Sequence, residues 1–171
     1  MDFLELAKAR YSVRSFKPSQ ITDGELERIL EAGRVSPSAC NRQPFKVYVV
    51  KSEEKLKALK EVCICTFDAP QILVICYDKN QAWQNRLDEG YHSGETDAAI
   101  FCTHMMLEAF ELGIGSCWVG YFNSDAVKEA LGLESRLTVS AIMPIGYPAD
   151  DAVPARGHLS IKDKNETVEI I

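Results

Sequence analysis

The sequence predicts an α/β or α+β domain with helices on both faces of a β-sheet, and three observations carry that reading. Stretches with helical spacing alternate with strand-like stretches along the chain. The segment from Gln71 to Tyr77 reads as one unbroken apolar run, the mark of a strand buried on both faces. The stretch 95–112 is apolar around most of a helical circumference, so it needs cover on several sides. At 171 residues the chain has room for one domain, spanning 1–171, and not for two comfortable ones.

The elements follow in order. Residues 2–10 place Phe3, Leu6, Ala7 and Arg10 at helical spacing, and a second helix is expected over 23–34. There Thr22 and Glu25 form a capping box, and Leu26, Ile29, Leu30 and Gly33 keep the 3.6-residue period. Pro37 ends any helix and opens the polar loop SPSACNRQP. A strand over 45–50 and a charged helix over 53–62, capped by Ser52, come next, then the apolar strand 71–77. On the long helix 95–112, Asp97, His104, Glu108 and Glu111 fall on one narrow stripe. A partner subunit is a natural source of part of the cover for its apolar remainder. A helix over 124–131 takes Asn123 or Ser124 as cap, and a strand over 138–145 ends at the Gly146-Tyr147-Pro148 turn. The order of the strands stays open.

Composition narrows the functional classes. With a formal charge of −6 and no Lys/Arg cluster of five or more, the chain has no electrostatic footprint for nucleic acid or an acidic membrane. The N-terminus MDFLELAKARYS lacks the basic head and apolar stretch of a signal peptide, and no run approaches the roughly 20 apolar residues of a membrane span. A cytoplasmic location is expected, where the six cysteines stay thiols. Cys76, Cys102 and Cys117 are expected to pack as small hydrophobes, and nothing completes the Cys63-x-Cys65 pair into a metal site.

Four segments have chemistry to offer. In Arg10-Tyr11-Ser12-Val13-Arg14, two guanidiniums flank a hydroxyl; the group suits a phosphate, or is simply a basic helix end bonded to its own carbonyls. In the loop Pro37-Ser38-Ala39-Cys40-Asn41-Arg42-Gln43-Pro44, amides and hydroxyls suit the mixed edge of a heteroaromatic ring or a polyol, or form a self-bonded turn. The segment Gly113-Ile114-Gly115-Ser116-Cys117-Trp118-Val119-Gly120 fails the dinucleotide fingerprint, because its glycines follow a helix. It permits close backbone approach to a flat ligand, or serves as a glycine cap followed by a core strand. Arg156 is a further charge for a phosphate, or a surface arginine. The alternatives are weaker. His92, His104 and His158 lack ligand spacing, and Asp88 and His92, four apart, read as an ion pair on a surface helix. Ser116 lacks the hydrolase elbow, and nothing brings Cys40 or Cys117 to His104 to make a thiol enzyme.

Taken together, R-x-S-x-R, P-S-A-x-N-x-Q-P, D-A-A opening the long helix, L-G-I-G-S-C-W-V-G at its end, and I-G-Y-P followed by P-A-R stand in the order found in the nitroreductase family. The chain resembles that family from about residue 3 to 156. The resemblance implies an α+β fold with a central, mostly antiparallel sheet flanked by helices, built as an intertwined homodimer with two FMN sites at the interface. By motif matching, Arg10, Ser12 and Arg14 fall on the phosphate, ribityl chain and ring edge, with Tyr11 beside them. Pro37, Ser38, Ala39, Asn41 and Gln43 come from the other subunit, Trp118, Val119 and Gly120 line the ring near N5, and Arg156 meets the phosphate. The implied activity is transfer of electrons from NAD(P)H to a small organic acceptor, nitroaromatic or quinone, by a ping-pong mechanism with no catalytic side chain. NADH and NADPH remain equally open. The competing expectations are other redox chemistry on the same FMN, such as dehalogenation or enoate reduction, and a non-catalytic flavin-binding module.

Overall fold

In the computed structural model, which describes residues 2–171, four helices begin where a short polar side chain precedes them. Asp2 opens α1 (Phe3–Ala9), accepting from the Glu5 N–H at 3.0 Å. The predicted capping box opens α2 (Asp23–Arg34): Thr22 Oγ1 accepts from the Glu25 N–H, and the Glu25 carboxylate accepts from the Thr22 N–H at 2.8 Å. Ser52 caps α3 (Glu53–Val62) and Asn123 caps α5 (Ser124–Leu131). The long helix α4 (Gly94–Glu111) ends in a full Schellman motif. Ile114 N–H donates to Ala109 O at 2.8 Å and Gly113 N–H to Phe110 O at 2.9 Å, with Gly113 at φ +74°. A side chain at that φ would be strained, which is why glycine follows this helix.

Four strands, β1 (Phe45–Val50), β2 (Gln71–Tyr77), β3 (Gly115–Ser116) and β4 (Thr138–Gly146), form one sheet in the order β1-β2-β4-β3. All three pairings are antiparallel, which places the fold in the α+β class. β2 is buried at all seven positions. At its start the buried Gln71 uses its Oε1 to accept from the Ile21 N–H at 2.8 Å, while its Nε2 is buried without a partner among the described residues.

The two sheet faces carry two cores. Leu73, Ile75, Ala141 and Met143 pack with Ile29 of α2 and Phe101, Cys102 and Met105 of α4. Ile72, Val74, Cys76 and Ile142 pack with Leu59 of α3 and Val127 of α5. A bulge separates the partners Ile75↔Ala141 and Cys76↔Val139, leaving Ser140 as the extra residue. The bulge sends Val139 and Ala141 to opposite cores, although two residues apart on a strand normally share a face. Ser140 is thereby turned to donate to Glu95 at 2.9 Å.

One local expectation is overturned. Asp88 and His92 lie on no helix. The segment 79–93 runs through turns, with Tyr91 N–H donating to Asp88 O at 3.2 Å and His92 bridging Gln84. The sequence offers spacing there but no run of apolar positions to bury, so no helix forms. The C-terminal tail carries a short α6 (Lys164–Thr167), and every residue from Ser160 to Ile171 is exposed. No helix among the described residues is long and apolar enough to cross a membrane.

Asp78 closes the end of β2. It is buried, ion-paired with Arg136, and accepts from the Asn80 N–H at 2.9 Å and the Gln81 amide at 3.1 Å. Burial pushes its carboxyl up, but the Asn80 N–H, Arg136 and Gln81 together outweigh it and hold the group below its ordinary 3.8. A carboxyl lowered on folding contributes stability that is complete above the unfolded value and is lost as pH falls through the folded one. Arg136→Ala is therefore expected to lower stability at neutral pH, because it takes the ion-pair partner from the buried Asp78 carboxylate. Urea melts are expected to show the gap to the parent protein narrowing below pH 3.8. A gap that stayed constant down to pH 2.5 would refute this assignment.

Candidate active site

The first half of the site forms where α1 ends. The Arg10 N–H donates to Leu6 O, closing the helix, and the chain then leaves in an extended conformation. Ser12 pairs in parallel with Ser116, and Val13 N–H donates to Ser116 O at 3.0 Å. Val13 is buried against Gly115, where an added Cβ would stand 2.7–2.8 Å from three Val13 side-chain atoms. Only a glycine allows this approach. Because an extended chain alternates its sides, burying Val13 turns Arg10, Ser12 and Arg14 to the opposite side together.

Those side chains gather around Cys117. Burial pushes the Cys117 thiol up, while the charge of Arg14, the hydroxyl of Ser12 and, more weakly, Arg10 pull the other way. A thiol held protonated is a poor nucleophile, which argues against the thiol-enzyme reading. His104 is engaged elsewhere, its Nδ1 donating to Ile100 O at 2.9 Å within α4. Arg14 also makes a long 3.4 Å bond to Ser12 O.

The chain from 116 to 120 supplies open backbone donors. Cys117 N–H donates to Pro144 O and Val119 N–H to Ile142 O, so the alternate amides of Trp118 and Gly120 face away from β4. Val119 is buried, Trp118 half-buried and Gly120 exposed. The C-terminal segment then folds back along 11–17: Ala149 N–H donates to Ser15 O and Lys17 N–H to Tyr147 O. Tyr11 OH donates to Ala152 O at 3.3 Å, and its ring meets His158 at 6.1 Å. This brings the turn carrying Arg156 to the start of the R-x-S-x-R segment.

The second half is the loop 37–44. Pro37, Asn41 and Gln43 are exposed, while Ser38 and Ala39 are half-buried. Ser38 Oγ accepts from the Gln43 N–H at 3.0 Å, and the Gln43 amide donates to Asn41 Oδ1 at 2.7 Å, so the self-bonded turn is part of what forms. Cys40, Asn41 and Gln43 nonetheless sit at φ of 50°, 52° and 49°. Left-handed backbone costs about 1–2 kcal/mol at such residues and persists only where its surroundings impose it.

The constraint is Asp97, which spacing alone placed on a polar stripe. It is 1% exposed in the first turn of α4. Its Oδ1 accepts from the Ala39 N–H at 2.9 Å, and its Oδ2 accepts from Ser93 Oγ at 2.6 Å. Ser93 Oγ accepts in turn from the Trp83 N–H. The D-A-A motif had singled Asp97 out; its service to two loops was not legible, since neither loop neighbours it in sequence.

The two halves stand apart. Asp97 anchors one at the start of α4 and Gly115-Ser116 anchors the other just past its end. An 18-residue helix separates them by about 27 Å. Within one chain, the structure brings Arg10, Ser12, Arg14, Trp118, Gly120 and Arg156 to one region and leaves Ser38, Asn41 and Gln43 at another.

The residues present suit FMN. Arg28, Arg34 and Arg136 pair with carboxylates, whereas Arg10, Arg14 and Arg156 have no carboxylate partner among the described residues and can neutralise a phosphate. The outward amides of Trp118 and Gly120 offer donors to a ring edge, and no side chain at Gly120 blocks the approach.

Comparison with known proteins agrees with this arrangement. The family model described as "Nitroreductase family" matches residues 7–71 and 65–147. A protein of Archaeoglobus fulgidus with the provisional name NADH dehydrogenase/NAD(P)H nitroreductase is 31% identical over 157 residues, 86% of each chain. A nitroreductase family protein from Clostridium difficile 630 superposes with a TM-score of 0.91 at 34% identity, covering 99% of this chain and 98% of that one. An FMN-dependent nitroreductase from Clostridium difficile R20291 superposes at 0.80 with 26% identity, covering 98% of both. The antiparallel sheet between two helical layers, the Arg–Ser–Arg strand seated on Gly115 and the matched residues together place this chain in the nitroreductase family.

Proposed function

We propose that the chain acts as a homodimer that uses FMN to carry electrons from NAD(P)H to a small organic acceptor such as a nitroaromatic or a quinone. The observation that carries the dimer is the separation of the two half-sites by the length of α4. One flavin cannot touch both within a chain, but two chains packed with their α4 helices antiparallel would set the first half of one against the second half of the other. The exterior of the chain supports such packing: Phe3 and Leu4 of α1 are 71% and 61% exposed, and Ile100, Leu107 and Phe110 of α4 are only half-buried.

Family membership makes the chain an NAD(P)H oxidoreductase with FMN as its cofactor, the cofactor named for the relative from strain R20291. FMN held there would supply the redox chemistry that links the nicotinamide to the acceptor. The side chains bind and orient. Arg10, Ser12 and Arg156 hold the phosphate and ribityl end, with Tyr11 packing beside them. Arg14 keeps a fixed positive charge at the ring edge where reduction adds negative charge, and the Gly120 N–H donates toward N5. Pro37, Ser38, Ala39, Asn41 and Gln43 of the second chain close over the ring, and the backbone of Trp118, Val119 and Gly120 lines it. Donor and acceptor take turns at one open face, which gives ping-pong kinetics. No side-chain acid or base is assigned. In this reading residues 1–171 form one FMN-binding domain.

The purified protein is expected to be yellow, with flavin bands that bleach on anaerobic titration with NADH or NADPH and return when an acceptor is added. Bands that persist with both nicotinamides would overturn the reductase reading in favour of a binding role, and failure to take up added FMN would remove its basis.

A further inference from the structure

Arg42 and Arg86 are two further arginines without a carboxylate partner among the described residues, in a chain whose formal charge is −6. Both line the same cavity, of about 690 Å³, together with Trp83, Asn80, Gln84 and Asn85, and no carboxylate lines it. An acidic protein that leaves two guanidiniums unneutralised in one cavity, beside an indole and several amides, has kept a place for a negative charge carried on a flat molecule.

The backbone behind two of this cavity's walls is tied down, while the Arg42 and Arg86 side chains themselves are exposed. Arg42 comes from the left-handed loop 37–44, and the rest from the segment 79–93. Asp97 joins the two: its carboxylate holds Ala39 on one side and Ser93 on the other. Ser93 Oγ accepts from the Trp83 N–H at 3.1 Å and Ser93 N–H donates to Trp83 O at 2.9 Å, locking the Trp83 backbone. One buried carboxylate therefore sets both Arg42 and the Trp83 wall, next to Asn41 and Gln43.

We propose that this cavity receives the anionic group, carboxylate or phosphate, of the molecule that exchanges electrons at the flavin, with Arg42 and Arg86 as specificity-determining residues. The proposal rests on the reading of loop 37–44 as part of the flavin site. Two sources share this chemistry: a carboxylate on an aromatic acceptor, and the 2′-phosphate that separates NADPH from NADH.

Calorimetric titration of the FMN-supplemented protein tests it, with 4-nitrobenzoate against 4-nitrobenzamide as acceptor probes and 2′,5′-ADP against 5′-AMP as donor probes. In at least one pair the more highly charged member is expected to bind about 10-fold tighter, and Arg42→Ala with Arg86→Ala is expected to abolish that preference while leaving the other member unchanged. Loss confined to the nitrobenzoate pair assigns the site to the acceptor; loss confined to the ADP pair assigns it to NADPH. The Arg34→Ala variant, which removes an exposed arginine paired with Glu31 on α2, is expected to change neither pair. No preference in the parent protein, equal weakening of both members of each pair, or an equal effect of Arg34→Ala would overturn the proposal. Because binding is read directly, a protein that takes up no FMN would sink the reductase reading while this result is judged on its own.

Discussion

An Asp97→Ala variant is expected to unfold about 10 °C below the parent protein and to lose most of its FMN. Asp97 is 1% exposed, and its two oxygens accept from the Ala39 N–H and the Ser93 hydroxyl. Bonds to a charged acceptor in a dry site are the strong ones, and the substitution also takes that acceptor from the buried Ser93 hydroxyl and the half-buried Ala39 N–H. Together these cost about 3 kcal/mol, which for a chain of this length corresponds to the stated shift in melting temperature. The functional loss has a separate cause. With Ala39 released, only the loop's own Ser38–Gln43 and Gln43–Asn41 bonds hold Cys40, Asn41 and Gln43 in left-handed backbone, and the loop is expected to relax away from the geometry proposed to cover the flavin. Asp97→Asn retains an acceptor for one of the two donors and is expected to fall between. Scanning calorimetry and the flavin-to-protein absorbance ratio measure both effects. An alanine variant with unchanged melting temperature and full flavin content would show that the buried carboxylate does not organise the loops.

Gly115→Ala is expected to destabilise the chain by about 2 kcal/mol and to weaken FMN binding by more than about 10-fold, although Gly115 has no side chain to offer a ligand. A Cβ there would lie 2.7–2.8 Å from Cβ and both γ-carbons of Val13, all part of a β-branched side chain that cannot swing clear. Relief requires moving the 12–14 segment off Ser116, which displaces Ser12 and Arg14. The double variant Val13→Ala/Gly115→Ala keeps the Val13 Cβ but removes both γ-carbons, which relieves part of the clash, so it is expected to be more stable than the sum of the single variants predicts. Additive losses in urea melts would mean that Gly115 is small for some other reason.

Much of the local structure could be read from the sequence because it is decided within a few residues. The Thr22–Glu25 box, Ser52 and Asn123 set helix starts through bonds spanning three residues. Gly113 set the end of α4 through a backbone conformation that other side chains resist. The predicted spans 23–34, 45–50, 53–62, 71–77 and 124–131 are accordingly the observed ones. Most members of the first half-site were legible for a related reason: Arg10, Ser12 and Arg14 alternate along one short segment, and alternation alone gives them a common side.

The tertiary structure decided what depends on distant partners. The order β1-β2-β4-β3 follows from burying both faces of β2, a requirement on the whole sheet that no strand states by itself. The bulge at Ser140 belongs to a pairing, and becomes visible only when Val139 and Ala141 are found in different cores. Asp88 and His92 have helical spacing, yet their segment has no apolar face to bury and stays in turns. Asp97 reads in sequence as a polar residue in a greasy helix. Its meaning comes from Ala39, 58 residues away, because a buried carboxylate is stable only where folding brings donors to it. Local sequence thus determined the elements and the chemical character of the candidate ligands. Long-range burial determined which of them share a site, and why two half-sites in one chain face opposite ends of α4.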